Sequence, residues 1–294
     1  MKRNFWLTLA GCVGAFIAPA SATPQSRVIP LVFSANAPEA VAARMGNRQS
    51  LFLFDSGAGT SAVTPSFAET IGCKPWGKVT GFRATGERLD LSRCNETDVT
   101  VGPITRRMPQ LSVIDLKQFM GPAGDKFGGA IALDVFIGHT ITLDIAKHRL
   151  IIEDAASLDR IKQKAREVPI RLVRDTEGAA LTVDLGVPTS LGTAWMEIDT
   201  GNYGPSLIDK HVARLVGLAP DESGAQQWTA ELEPNLNAAG SAVVKDLIMD
   251  GDIGRDVLMH WSVTLDLANE RGWINADQKW SRAGRGNRVS NSSR

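Results

Sequence analysis

Two stretches of the chain share one pattern of apolar and polar positions. Leu51-Phe52-Leu53-Phe54 runs into Asp55-Ser56-Gly57, and Trp195-Met196-Glu197-Ile198 runs into Asp199-Thr200-Gly201. Each reads as a largely buried strand that stops at a turn, because Asp, a hydroxyl residue and Gly favour turns over strand pairing. Downstream of each turn comes a helical stretch closed by glycine: Pro65 to Ile71 before Gly72, and Leu207 to Val216 before Gly217. Further on, Ala130 to Phe136 leads to Ile141-Thr142-Leu143-Asp144-Ile145. Asp252 to Leu258 leads in the same way to Val263-Thr264-Leu265-Asp266-Leu267, with equal steps from Asp134 to Asp144 and from Asp256 to Asp266. Upstream, Val28-Ile29-Pro30-Leu31 is answered by Val168-Pro169-Ile170. A lone Asp-Ser/Thr-Gly carries little information, whereas four matching landmarks in one order indicate a duplication. The period of 144 residues is too long for a solenoid and fits a doubled domain.

Within each half, short β-branched and apolar runs between Gly, Pro and Asn turns predict an all-β fold, mostly antiparallel, with one short helix per half. The halves are expected at 23–154 and 168–280. Residues 155–167, with Arg160, Lys162, Lys164 and Arg166 and no large apolar cluster, are expected as a solvated connecting helix or linker. From 281 to 294 the chain is Gly, Ser, Asn and Arg without periodicity, the composition of a disordered tail. At the other end Lys2 and Arg3 precede an apolar run from Phe5 to Ala18. Ala20-Ser21-Ala22 then supplies an A-x-A cleavage pattern, so 1–22 reads as a signal peptide and the mature protein is expected to be periplasmic or secreted. Leu9-Ala10-Gly11-Cys12 is similar to a lipobox. The apolar stretch before Cys12 is short for one, and cleavage after Ala22 is preferred to a lipid anchor.

The 294 residues include 32 Lys+Arg and 32 Asp+Glu, and 43% are apolar. That excludes disorder as the main state and leaves no electrostatic footprint for nucleic acid. No later segment is apolar for long enough to span a membrane, and a monomer is expected. Without the signal peptide, two cysteines remain, Cys73 and Cys94. In an oxidising compartment they form either a disulfide or two buried free thiols, and the sequence leaves both open. The four histidines show no metal-ligand spacing, so neither a metal nor a cofactor is expected. Ser56 has Phe54 where a nucleophile elbow needs its first Gly, and the Gly-rich segment 121–129 lacks a phosphate-binding fingerprint.

A duplicated strand ending in Asp can bring two carboxyl groups together across a pseudo-twofold axis. Two such groups share a proton, so one takes a proton from bound water while the other protonates a carbonyl. Asp55 and Asp199 are the candidates. Ser56 and Thr200 can hydrogen-bond across the junction, and Gly57 and Gly201 allow close approach of the backbone. Wider separation of the same carboxyls would instead suit glycoside hydrolysis.

Asp55-Ser56-Gly57-Ala58, Asp199-Thr200-Gly201 and Ile253-Gly254-Arg255-Asp256 resemble the pepsin and retropepsin superfamily of aspartic proteases, and the likeness spans nearly the whole mature chain. It implies a bilobal acid-protease fold made of two retropepsin-like β-barrel lobes. It also implies Asp55 and Asp199 as the catalytic pair of a peptide-bond hydrolase. A flap is then expected at Gly81-Phe82-Arg83-Ala84-Thr85-Gly86, and the equivalent stretch Trp228 to Ala242 looks poor in hairpin signals. Four positions depart from the pattern. Ala132 stands in place of Gly, Leu133 stands opposite Arg255, Asn202 follows Asp199-Thr200-Gly201, and Glu197 shares a strand face with Asp199. Glu197 is expected to bend to solvent or pair with an arginine. The alternative to a peptidase is a catalytically silent module of the same fold, binding an extended peptide or envelope component.

Overall fold

In the computed structural model, residues 27–33, 37–175 and 178–276 are described. The expected signal peptide, with Cys12, and the expected tail lie outside them. The fold is all-β and bilobal, built of three sheets around a continuous core. A six-stranded sheet joins the halves in the order Arg27–Pro30, Arg149–Glu153, Thr140–Asp144, Trp261–Asp266, Arg271–Ala276, Arg166–Val168. Each half supplies three strands in corresponding places. The two central strands run antiparallel with Thr142 opposite Thr264. These are equivalent residues of the two copies, so the pseudo-twofold axis passes between them. Their buried hydroxyls share a 2.8 Å hydrogen bond, so each has a partner across the axis.

Each lobe builds its own curled sheet, of nine strands in the first half and seven in the second. The strand Arg48–Phe54 ends at Asp55 and lies parallel to Gly129–Ile131, while Gly192–Ile198 ends just before Asp199 and lies parallel to Gly251–Ile253. The backbone N–H of Asp55 donates to the Ile131 carbonyl at 3.0 Å, and that of Asp199 to Ile253 at 3.1 Å. Both aspartates are thereby held at strand ends. Phe52, Leu53 and Phe54 are all buried, as expected where both faces of a strand are covered.

The helix Pro65–Thr70 starts on Pro65 and is capped by Thr64 Oγ1, which accepts from the Phe67 N–H at 3.3 Å. Gly72, at φ 74°, follows its end. The second copy departs from its pattern. Leu207 and Ile208 lie in the strand Ser206–Asp209, and the helix begins only at Lys210. Pairing with Leu236–Lys245 and Gly251–Ile253 overrides the helical spacing there, and Asp209 caps the delayed helix through the His211 N–H.

Residues 155–167 form the helix Ala155–Lys162, reciprocally capped by Asp154 and Ser157, and from Arg166 onward an edge strand of the joining sheet. Cys73 and Cys94 are joined in a disulfide with Cα atoms 5.6 Å apart, at the base of the hairpin formed by Trp76–Phe82 and Arg88–Cys94. The stretch expected to be poor in hairpin signals is in fact a long hairpin, Ala225–Glu233 with Leu236–Lys245. Trp228, Ala230 and Leu232 alternate inward, and Pro234-Asn235 turns the chain with Asn235 at φ 68°.

Candidate active site

The two Asp-hydroxyl-Gly loops meet at the junction of the lobes. The Ser56 N–H donates to Thr200 Oγ1 and the Thr200 N–H to Ser56 Oγ, each at 2.9 Å. The Ser56 hydroxyl donates to the Ile198 carbonyl at 2.6 Å, and the Thr200 hydroxyl to the Phe54 carbonyl at 3.0 Å. Each hydroxyl accepts a backbone N–H from the opposite half and donates to a backbone carbonyl of that same opposite half. A side chain with both capacities is therefore needed after each Asp. Gly57 and Gly201 donate N–H groups to the Oδ1 atoms of Asp55 and Asp199, at 3.0 and 2.6 Å. A Cβ on Gly57 would lie 2.6 Å from Asp199 Cγ, and one on Gly201 would lie 2.5 Å from Asp55 Cγ. The glycines hold open the space that the opposite carboxyl fills.

The Asp55 and Asp199 carboxyls are hydrogen-bonded to each other, and both residues are partly buried. Burial, followed by the charge of Asp199 and the hydrogen bond to it, holds Asp55 well above the usual carboxylate range. Burial raises Asp199 as well, but hydrogen bonds from Gly201, Asp55, Asn202 and Asp252 counter it. Such a pair keeps a proton between its members where isolated aspartates would both be ionised.

The expectation that Glu197 turns to solvent or to an arginine does not hold. Glu197 is 8% exposed, and its Oε2 lies 2.9 Å from where a Gly57 Cβ would be, beside Asp199. The strand face it shares with Asp199 points into the junction. Burial, and then the charges of Asp199, Asp55 and Asp184, push it well above the glutamate range against a hydrogen bond from Thr182. Asp252 escapes the sequence reading. It is 4% exposed, sits directly opposite Glu197 in the parallel strand, accepts from Asn202 Nδ2 at 3.2 Å and is hydrogen-bonded to Asp199. Its signal lay in the repeat itself, as an acid where the first copy has an apolar strand residue.

The departures at Ala132 and Asn202 explain one another. A Cβ on Gly254 would lie 2.7 Å from Asn202 Nδ2, so the second half requires glycine there. The first half carries Ala58 at the position of Asn202, and Ala132 is accommodated fully buried. Arg255 reaches across to the buried Glu39 of the first half at 3.0 Å, whereas its counterpart Leu133 is packed in the core.

Gly81, Phe82, Arg83 and Gly86 lie at and beside the tip of the disulfide-based hairpin. The turn closes through Arg83 N–H to the Glu87 carbonyl at 2.9 Å, with Gly86 at φ 80°. The tip reaches the second half, where the Ile248 N–H donates to the Ala84 carbonyl at 2.9 Å. The Arg83 guanidinium stands 5.2 Å from the centre of the Phe119 ring. Phe82 and Ile248 are 59% and 62% exposed, large apolar groups displayed at this crossing.

The mirrored acids away from the junction have structural partners. Asp134 accepts from the Ser61 N–H and hydroxyl at 2.7 and 2.6 Å, with burial raising its pKa to about 6. Asp256 accepts from the Ser241 N–H at 2.6 Å, Asp144 pairs with Arg149 at 2.8 Å, and Asp266 caps the turn at Ala268 and Asn269. Among the described residues no group of His, Cys, Asp or Glu is arranged to hold a metal ion, and no helix is long and apolar enough to cross a membrane.

A family model described as "Aspartyl protease" matches residues 41–135, which include Asp55-Ser56-Gly57 and the supporting segment as far as Val135. Among solved structures, conglutin gamma, a basic 7S globulin from lupine seeds, is 12% identical with a TM-score of 0.53, covering 89% of this chain and 97% of that one. The basic 7S globulin from soybean is 13% identical with a TM-score of 0.52, covering 87% and 96%. At such identities these two likenesses speak for the fold alone. No curated protein matches the chain.

Proposed function

We propose that this chain, whose residues 41–135 match the aspartyl protease family model, is an aspartic endopeptidase that hydrolyses peptide bonds with a water molecule held between Asp55 and Asp199. The carrying observation is the pair itself. Two hydrogen-bonded carboxyls sit on symmetry-related strand ends, locked by the Ser56–Thr200 crossing, with burial favouring a retained proton. In the first step one carboxylate takes a proton from the water as its oxygen bonds to the scissile carbonyl carbon. The other carboxyl gives its proton to the carbonyl oxygen, which leaves a gem-diol. In the second step the newly protonated carboxyl passes its proton to the amide nitrogen. The C–N bond breaks, and a gem-diol proton returns to the other carboxyl. Atoms and protons balance without a covalent enzyme intermediate.

The substrate lies extended beneath the hairpin 76–94, its backbone offered to strand edges. Exposed Phe82, Phe119 and Ile248 favour large apolar side chains flanking the cleaved bond. The Cys73–Cys94 disulfide supports an oxidising location, in keeping with an exported protein. The test is hydrolysis of a diverse peptide mixture between pH 3 and 7, read by mass spectrometry. Cleavage should occur in wild type and be lost equally in Asp55→Asn and Asp199→Asn. A folded wild type that binds peptides and cuts none would select the silent binding module instead.

A further inference from the structure

The duplication makes an internal control available for every residue near the dyad. In the first half, Leu53 and Ala130 face each other across the parallel pair of strands beneath Asp55. They are buried with Leu116 in a small apolar cluster, against which Ile114, Met120 and Phe127 pack. The same two places in the second half hold Glu197 and Asp252, equally opposed beneath Asp199. One aspartate of the pair therefore rests on hydrocarbon, and the other on two buried acids.

A buried acid beside a carboxylate can keep its proton and donate it, or lose it and repel. The surroundings of Asp252 favour donation. Asn202 Nδ2 occupies Asp252 Oδ1 from one side at 3.2 Å, which leaves the acid proton to the other oxygen. The charged and titratable neighbours are Asp199 and Glu197, with Asp55 and Asp184 next beyond Glu197. Asp184 is paired with Arg171 at 2.8 Å, and among the described residues the charged groups acting on Asp252 are the acids Asp199 and Glu197. The Gly201 N–H donates to Asp199 Oδ1 at 2.6 Å, closer than the 3.0 Å between the Gly57 N–H and Asp55 Oδ1, and Asp252 stands beneath Asp199 on the neighbouring strand.

We propose that Asp252 is a positioning residue that donates a hydrogen bond to Asp199, and so makes Asp199 the member of the dyad that takes the water proton and Asp55 the member that gives one to the carbonyl. The chemical consequence rests on the endopeptidase reading, whereas the placement of the protons does not. With Asp199 as acceptor, the O–H bond of the water breaks toward Asp199 while its oxygen bonds to carbon. The Asp55 proton moves to the carbonyl oxygen, and Asp252 keeps its proton throughout.

Two substitutions separate donor from charge. Asp252→Asn keeps an oxygen for Asn202 and turns an amide N–H toward Asp199, so the donor survives and the ionisable group does not. Asp252→Ala removes both. For kcat/KM measured against pH on a peptide taken from the observed cut sites, Asp252→Asn should stay within about threefold of wild type with the same acidic limb. Asp252→Ala should move that limb upward by about one pH unit and lower kcat about tenfold, with KM nearly unchanged. Equal loss in both variants, or an unmoved acidic limb in Asp252→Ala, overturns the proposal. A second arm needs no turnover. In full-length mature protein carrying ¹³C-labelled Asp carboxyls, the resonance lost in Asp199→Asn should report a carboxylate at pH 6, and that lost in Asp55→Asn a protonated acid. Asp252→Ala should shift the first toward protonation. The reverse assignment, or no shift, sinks the inference. The expected spectra from a protein that cuts nothing would instead leave the proton placement standing and end the endopeptidase reading.

Discussion

Glycine at 57 and 201 is required by space rather than by backbone angle. A methyl group at either position would fall on the carboxyl of the opposite aspartate, at 2.6 and 2.5 Å from its Cγ. Gly201→Ala should therefore leave a folded protein whose dyad is pushed apart, with kcat reduced by about a hundredfold or more and the far-ultraviolet spectrum unchanged. The acids beneath Asp199 carry a different cost. Glu197, Asp252 and Asp55 all have folded pKa values raised above their unfolded ones, chiefly by burial. Such groups bind protons more tightly in the folded state, so the stability they contribute is full below their unfolded pKa near 4. It is lost as pH rises through the folded values. Wild type should melt at a lower temperature at pH 7 than at pH 5 on their account. Glu197→Gln should flatten that dependence and melt above wild type at pH 7; an unchanged slope in a thermal melt series from pH 4 to 8 would contradict this.

Among the elements, the hairpin 76–94 has the most to say about access to the site. Its base is fixed by Cys73–Cys94 and its tip by one backbone hydrogen bond to Ile248. Closing a loop of about twenty residues stabilises the fold by roughly 3 kcal/mol in the chain-entropy model. Cys73→Ser with Cys94→Ser should lower the melting temperature by several degrees, read by calorimetry under non-reducing conditions. This element was legible in advance at its tip, because Gly81 and Gly86 flank a short polar turn, but the state of its cysteines was not. Two thiols a fixed distance apart in sequence say nothing of their separation in space. The second lobe's hairpin was harder to read because its turn is Pro234-Asn235, without the glycine that marks most tight hairpins. Leu207-Ile208 was misread as helix for the opposite reason. Its spacing suits a helix, and only the strands on either side, distant in sequence, make it a strand.

For the whole molecule, the duplication was the most legible feature, since matching landmarks survive where individual residues have changed. Matching the two copies along the sequence does not show which substitutions face one another across space. Asp252 and Glu197 are more than fifty residues apart in sequence and become neighbours only in a parallel pairing, and Asn202 makes sense of Gly254 only once their contact is seen. The joining sheet offers a direct measure of how the halves depend on each other. Thr142→Val or Thr264→Val alone strands one buried hydroxyl and should cost about 1–3 kcal/mol, whereas the double substitution removes both and should cost less than the sum. Urea denaturation of the three variants completes the cycle, and simple additivity would show that the contact carries no coupling.

The one-sided floor beneath the dyad also says something about why a fused chain differs from a pair of identical subunits. In a true homodimer every substitution arrives twice, so an acid set under one aspartate is set under its image as well, and the two copies confront each other across the axis. A single chain with two halves is released from that rule. It can place Glu197 and Asp252 once, leave Leu53 and Ala130 in the mirror positions, and give two chemically equal aspartates unequal surroundings. The asymmetry is thus a capacity of the covalent link between the lobes, one that no dimer of either half has.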